Sequence, residues 1–272
     1  MKNNPIGVFD SGLGGLTTVK QLHSILPHED IIYFGDTGRV PYGTRSEETI
    51  AKYLSQDINF LKTKNVKYII AACGTVSSIL FKNNINPGDL FTGVLDPACL
   101  AAAKVSKNKK IGVIGTSATV NSNAYKQTLA SIDSNFEVYQ EACPLFVPLV
   151  ENGFIEKNNK ITNLTIKHYL NILKEQEIDT LILGCTHYPI IEKNIGLFLG
   201  KDVNLIDPGK VTANYVKKEL IKNELINEKR KKGKIEFFVS DTTCNFKENA
   251  QRFLQDKEMD NNNINQVDIE KF

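Results

Sequence analysis

Two cysteines stand at matching places in this chain, each following a short apolar run. In Thr180-Leu-Ile-Leu-Gly-Cys-Thr-His-Tyr-Pro189 the run ends on Gly184, and a thiol, a hydroxyl and an imidazole follow at Cys185, Thr186 and His187. Glycine there lets the backbone turn tightly. Upstream, Tyr68-Ile-Ile-Ala-Ala-Cys-Gly-Thr75 has the same form and delivers Cys73 and Thr75. The carboxyl ends of parallel strands are where open α/β sheets bind their ligands. A matched pair of thiols suits the inversion of a carbon centre, which requires a base on one face and an acid on the other, with the roles exchanged in reverse. Cysteine, with a reference pKa of about 8.5, can serve as thiolate or as thiol. Asp10, at the end of its own strand, is expected near Cys73, and His187 lies beside Cys185 in sequence. An amino-acid Cα–H is a very weak acid, so the site must also stabilise a developing carbanion. Hydroxyls at Ser11, Thr75, Thr116 and Thr186, with loop N–H groups at Tyr42 and Gly43, are neutral donors for carboxylates. No lysine carries a recognisable pyridoxal motif, so proton transfer without a cofactor is the simpler expectation.

The surrounding pattern is that of a parallel α/β protein. Strands are expected at residues 6–10, 30–34, 66–72 and 90–95, with helices over 16–26, from the Ser46 cap to about 64, and from Pro97. At Lys109 the order begins again: Ile111-Gly-Val-Ile-Gly-Thr-Ser117 echoes Ile6-Gly-Val-Phe-Asp-Ser-Gly12. The offset is 105 residues (6 to 111), against 112 between the two cysteines (73 to 185). Strand, turn and helix recurring at nearly one spacing predict two similar doubly wound α/β domains related by internal duplication. Later strands are expected at 203–206 and 235–239, a helix from Pro208 to about 226, and a frayed tail at 261–265. The substrate site then belongs in the cleft between facing lobes, with one cysteine on each wall.

Composition narrows the function classes. A chain of 272 residues with 41% hydrophobic residues suits one large or two medium domains. Its net charge of +2 argues against nucleic acid as the main partner. No apolar run is long enough for a membrane span, and strand-like sequence from Ile6 leaves no room for a signal peptide. Five cysteines without secretory features predict reduced thiols and a cytoplasmic location, and there is neither a C-x-x-C nor a zinc-type spacing. Cys99, Cys143 and Cys244 read as packing or incidental residues. The glycine-rich turn after residue 10 is a poor dinucleotide site, because Thr17 occupies the third glycine position.

The segments Val8-Phe-Asp-Ser-Gly-Leu-Gly-Gly15, Gly35-Asp-Thr-Gly-Arg-Val-Pro-Tyr-Gly43, Ala142-Cys-Pro-Leu-Phe-Val-Pro-Leu-Val-Glu151 and Gly184-Cys-Thr-His-Tyr-Pro189 resemble those of glutamate racemase, of the cofactor-independent aspartate/glutamate racemase superfamily. That resemblance runs from about residue 6 to 209. It implies that Cys73 and Cys185 are the acid/base pair, that Asp10 and His187 assist them, and that Glu151 orients His187. Read from the residues alone, Glu151 also suits a helix start, where the dipole favours a carboxylate. The resemblance further implies substrate contacts from Asp10, Ser11, Pro41, Tyr42 and Gly43 on one side. Gly74 and Thr75 would contribute beside the first thiol, and Thr116, Thr119, Thr186 and His187 from the other lobe. It implies residues 1–97 with 208–272 as one domain and 98–207 as the other. It also implies a homodimer and a small amino-acid substrate, with D-glutamate made for peptidoglycan.

Two positions depart from the family: Gly74 stands where asparagine usually follows the first cysteine, and Gly38 replaces a usual alanine in the loop before Tyr42. A lost hydrogen bond to a charged group costs about 1.5–3 kcal/mol, and a glycine is expected to leave space beside the thiol. Two readings follow: a glutamate racemase with a modified site, or a racemase or epimerase for another amino acid such as diaminopimelate or aspartate. A non-catalytic amino-acid-binding protein is the alternative of another class, and a thiol hydrolase would give the second cysteine no purpose.

Overall fold

A computed structural model describes residues 1–83, 87–242, 246–254 and 264–272. Its strands are β1 (Ile6–Asp10), β2 (Ile31–Gly35), β3 (Tyr68–Ala71), β4 (Phe91–Gly93), β5 (Lys110–Gly115), β6 (Glu137–Ala142), β7 (Thr180–Leu183), β8 (Asn204–Ile206), β9 (Ile235–Val239) and β10 (Ile264–Gln266). They form two sheets, ordered β10-β9-β2-β1-β3-β4 and β6-β5-β7-β8, and every pairing is parallel. The core orders β2-β1-β3-β4 and β6-β5-β7-β8 are one topology written twice, so the expected duplication is present in the strand arrangement. Each cysteine follows the strand that pairs with its sheet's first strand in chain order: Cys73 follows β3, which pairs with β1, and Cys185 follows β7, which pairs with β5.

The central strands are buried on both faces, which is why they read as continuous apolar runs rather than alternating ones. β1, β2, β3 and β7 are buried along their whole length. The helices covering them show the complementary pattern. In the helix Glu47–Thr63, Ile50, Leu54, Ile58 and Leu61 fall on one buried face, and the Ser46 hydroxyl accepts the Thr49 N–H at 3.3 Å. Burying each such side chain stabilises the packing by roughly 1.5–3 kcal/mol. Glu47 and Glu48 sit in the first turn, where the helix dipole favours them.

Some expectations change. The helix expected to open at Pro97 begins at Leu95, with the proline in its first turn. Pro189 lies in a 3-10 turn, Tyr188–Ile191, ahead of the helix Glu192–Leu199. The expected frayed tail is only partly tested: 261–263 lie outside the described residues, as does Cys244, but Ile264 and Asn265 belong to β10. The backbone of β10 pairs with β9, which a polar sequence does not prevent at a sheet edge. Among the described residues no helix is long and apolar enough to cross a membrane.

Candidate active site

The first half of the site is built at the ends of β1 and β3. Asp10 Oδ2 accepts the N–H groups of Gly15 at 2.9 Å and Gly12 at 3.3 Å, and Tyr33 donates to the Gly12 carbonyl at 2.7 Å. The glycine turn is therefore wrapped around the carboxylate. Asp10 Oδ1 is buried without a partner. Burial pushes the Asp10 carboxyl up, and the N–H groups of the turn only partly pull it back. Cys73 stands at the N-cap of the helix Gly74–Lys82, with its thiol donating to Ser11 Oγ at 3.5 Å. Burial, then the charge of Asp10, push the Cys73 thiol up to about 12.

The second half is built after β7. Cys185 Sγ lies 3.9 Å from His187 Nδ1, and His187 Nε2 lies 3.0 Å from Glu151 Oε1. Burial opposes a charge on the ring, but its hydrogen bonds to Cys185 and Glu151 outweigh that and lift His187 to about 10. Tyr188 fixes the turn that carries them, donating to the carbonyls of Gly115 at 3.0 Å and Cys143 at 2.9 Å. Glu151 ends the helix Phe146–Glu151 rather than starting one, so the dipole gives it no support. Its backbone carbonyl instead accepts from Arg252 Nη1 at 2.7 Å.

The halves meet through glycines. A Cβ on Gly14 would strike Thr186 Oγ1 and the His187 ring. A Cβ on Gly74 would strike the Gly184 carbonyl oxygen. The space expected beside the first thiol is therefore filled, by the backbone that leads into the second.

Between the halves lies a cleft of about 430 Å³ with Cys73 and Cys185 both in its wall. Ser11, Pro41, Tyr42 and Gly43 line it, with Gly74, Thr75, Thr116, Thr186, His187 and Glu151. Two of the expected residues lie apart from the cleft lining. Asp10 and Thr119 do not line the cleft: Asp10 is 1% exposed beneath its glycine turn, and Thr119 is fully buried. Thr119 stands behind the wall, with its hydroxyl 3.0 Å from that of Thr116 and 3.5 Å from that of Thr75. Thr75 and Thr116 are themselves 3.0 Å apart, which joins hydroxyls from both halves. Cys99 and Cys143 are fully buried, as expected of packing residues. The apolar side of the cleft, formed by Pro144, Val147 and Pro148 with Leu13 and Val40, was not anticipated. Such residues have no reactive group to single them out.

The sequence profile of the Asp/Glu/hydantoin racemase family matches residues 16–216. The chain is 46% identical over 272 residues to the glutamate racemase of Thermoanaerobacter pseudethanolicus, covering 100% of both. Its structure is similar to that of glutamate racemase from Francisella tularensis in complex with D-glutamate, with TM-score 0.89, 40% identity and 100% of each chain covered. It is also similar to the Thermus thermophilus glutamate racemase in complex with β-chloro-D-alanine, with TM-score 0.87, 36% identity, and 100% and 99% covered.

Proposed function

We propose that this chain, which belongs to the glutamate racemases of the Asp/Glu/hydantoin racemase family, interconverts L- and D-glutamate by moving a proton at Cα between two thiols. The observation that carries this reading is that Cys73 and Cys185 line one cleft, each thiol with an ionisable neighbour of its own.

In one direction Cys185, as thiolate, removes the Cα proton and becomes a thiol. The electron pair is held as a carbanion delocalised into the α-carboxylate. The Cys73 thiol then gives its proton to the opposite face and becomes the thiolate. The reverse direction exchanges the two sulfurs, so protons balance and no redox step arises. The hydrogen bonds that lift His187 to about 10 favour an imidazolium whose positive charge lies beside the sulfur that is negative when Cys185 acts as base. Glu151 holds the ring in place through Nε2. Asp10 is the corresponding neighbour of Cys73, one layer beneath the wall. The hydroxyls of Ser11, Thr75, Thr116 and Thr186, with the backbone around Pro41–Gly43, are placed to receive the substrate carboxylates.

The substrate is a small amino acid, and D-glutamate as a precursor of peptidoglycan fits the reading. A cytoplasmic location fits the four free cysteines among the described residues. A homodimer is part of the proposal, supported by the exposed apolar Ile161, Leu164 and Ile172 on the helix Lys160–Glu175.

The test is turnover in D2O. L-glutamate should lose optical activity while deuterium enters Cα, and aspartate, lysine and diaminopimelate should be far slower. Binding of glutamate without exchange would mean a non-catalytic protein, and faster turnover of diaminopimelate would mean another substrate.

A further inference from the structure

One wall of the cleft is a loop, residues 36–44, and its anchor is a side chain outside the cleft. Arg39 donates through Nε to Asp36 Oδ2 at 2.6 Å and through Nη2 to Asp57 Oδ1 at 3.2 Å. Through Nη1 it donates to Gln56 Oε1 at 2.5 Å and to Glu270 Oε1 at 3.2 Å. Its guanidinium also lies 4.0 Å from the centroid of the Tyr53 ring. One face and all three nitrogens of the planar fork are therefore engaged, which a lysine cannot reproduce.

The same carboxylates hold the loop itself. The Tyr42 hydroxyl donates to Asp36 and, at 3.2 Å, to Asp57 Oδ2. Tyr42 is 1% exposed, so its phenol is directed into the carboxylate pair while Val40, Pro41, Gly43 and Thr44 complete the wall. Asp36 and Asp57 are both fully buried side chains. Burial and the charge of Asp36 push the Asp57 carboxyl well above the usual carboxylate range, and the Arg39 cation offsets this only in part.

The fourth partner comes from far along the chain. Glu270 sits in the turn Ile269–Lys271, which is seated on the helix Glu47–Thr63 by buried Ile269. The Phe272 ring packs edge-on against Phe60 at 5.4 Å. Gln56 Nε2 reaches Glu270 Oε2 at 3.3 Å, closing a ring of contacts around the guanidinium.

We propose that Arg39 is a positioning residue for the substrate wall, holding Pro41, Tyr42 and Gly43 in place, and that the C-terminal turn completes its grip through Glu270. The inference rests on the racemase reading, since it assigns the wall to glutamate binding. Arg39 does not line the cleft, so it acts on affinity through the loop rather than on the proton transfers.

The experiment compares the full chain with Arg39→Lys, Glu270→Ala and the double variant. KM and kcat for glutamate, D-glutamate affinity by calorimetry, and thermal midpoints would be measured for each. Arg39→Lys should raise KM and the calorimetric Kd about tenfold while kcat falls less than threefold. Glu270→Ala should raise KM about threefold, and the double variant should exceed Arg39→Lys by less than that factor, because both act on one contact set. Partial unfolding would lower apparent kcat and leave KM unchanged, so an unchanged KM and Kd in both single variants overturns the inference. If Arg39→Lys fails to fold, Glu270→Ala decides alone, since an exposed carboxylate is removed without burying an unpaired charge. Failure of the racemase reading looks different: the unaltered chain would bind glutamate without turning it over, and the Kd comparison would still judge Arg39.

Discussion

Gly74, directly after the first thiol, rests against the carbonyl oxygen of Gly184, directly before the second. The two cysteine turns thus meet backbone to backbone, and we expect this contact to govern the spacing of the thiols. Gly74→Ala must push the turns apart on the order of 1 Å, and misplacement of that size costs about 100-fold in rate. We therefore expect Gly74→Ala and Gly74→Asn to lower kcat roughly 100-fold for both enantiomers of glutamate. The space-filling view of this position predicts instead that asparagine shifts preference toward glutamate. Rates for L- and D-glutamate followed by circular dichroism, alongside a thermal melt, separate the two.

Replacing either thiol should separate the half-reactions. With Cys73→Ala, Cys185 can still exchange the Cα proton of the enantiomer that presents it, but nothing protonates the opposite face. Racemisation should fall by at least about 10³-fold, within the range of losing an acid/base group. Deuterium exchange without inversion should survive for one enantiomer only, and Cys185→Ala should preserve it for the other. Mass spectrometry of each recovered enantiomer from D2O reads this directly; undiminished racemisation by either variant would sink the two-thiol mechanism.

Both thiol turns are legible in the sequence because a fully buried parallel strand leaves a continuous apolar run, and the residue after it stands out chemically. The duplication is legible for the same reason. β6 (Glu137–Ala142) is not, since Glu137, Gln140 and Glu141 make a half-exposed edge strand look like a loop. Nor is the Arg39 network, whose partners come from positions 36, 56, 57 and 270 and share no local spacing. Nothing about Asp36 in the loop sequence marks it out, yet its side chain holds a guanidinium and a phenol. The layer behind the cleft is hidden in the same way. Nothing in the residue type of Thr119 distinguishes a hydroxyl that faces substrate from one that braces Thr75 and Thr116.

Glu151→Gln should act through His187. Its carboxylate is one of the groups that raise the ring, so its loss should lower the His187 pKa from about 10. Activity that depends on the imidazolium should then fade at lower pH than in the unaltered chain, with kcat near pH 7 reduced about tenfold. A pH–rate profile for each enantiomer checks this. An alkaline limb that stays in place would show that Glu151 does not govern the ring.

Stability should fall as the solution is made alkaline. His187 has a folded-state value of about 10, above the usual 6.5, so the folded state binds more protons than the unfolded chain between those values. The stabilisation is complete below about 6.5 and is lost as pH rises through 10. Cys73, raised to about 12 from an ordinary 9.0, extends the decline in the same direction. Denaturant midpoints measured from pH 6 to pH 10 should decrease, and His187→Asn should flatten the part of the slope that begins near pH 6.5.

Away from the cleft, Lys67 offers a contrast between stability and activity. Its fully buried ammonium donates to Glu29 Oε2 at 2.5 Å, to the Lys2 carbonyl at 2.7 Å and to the Leu225 carbonyl at 2.8 Å. Glu29 Oε1 in turn accepts the Asn227 N–H at 2.8 Å, so the pair ties the start of the chain to the segment after the helix Pro208–Lys222. Lys67→Met leaves Glu29 buried and uncompensated, a change that costs about 3–5 kcal/mol. In a chain of this size that should lower the melting temperature on the order of 10 °C. Because none of these groups reaches the cleft, KM for glutamate should stay as it is at temperatures where the variant is folded. A KM that rises with the loss of Lys67 would mean that the buried pair and the substrate wall are coupled through the six-stranded sheet they share.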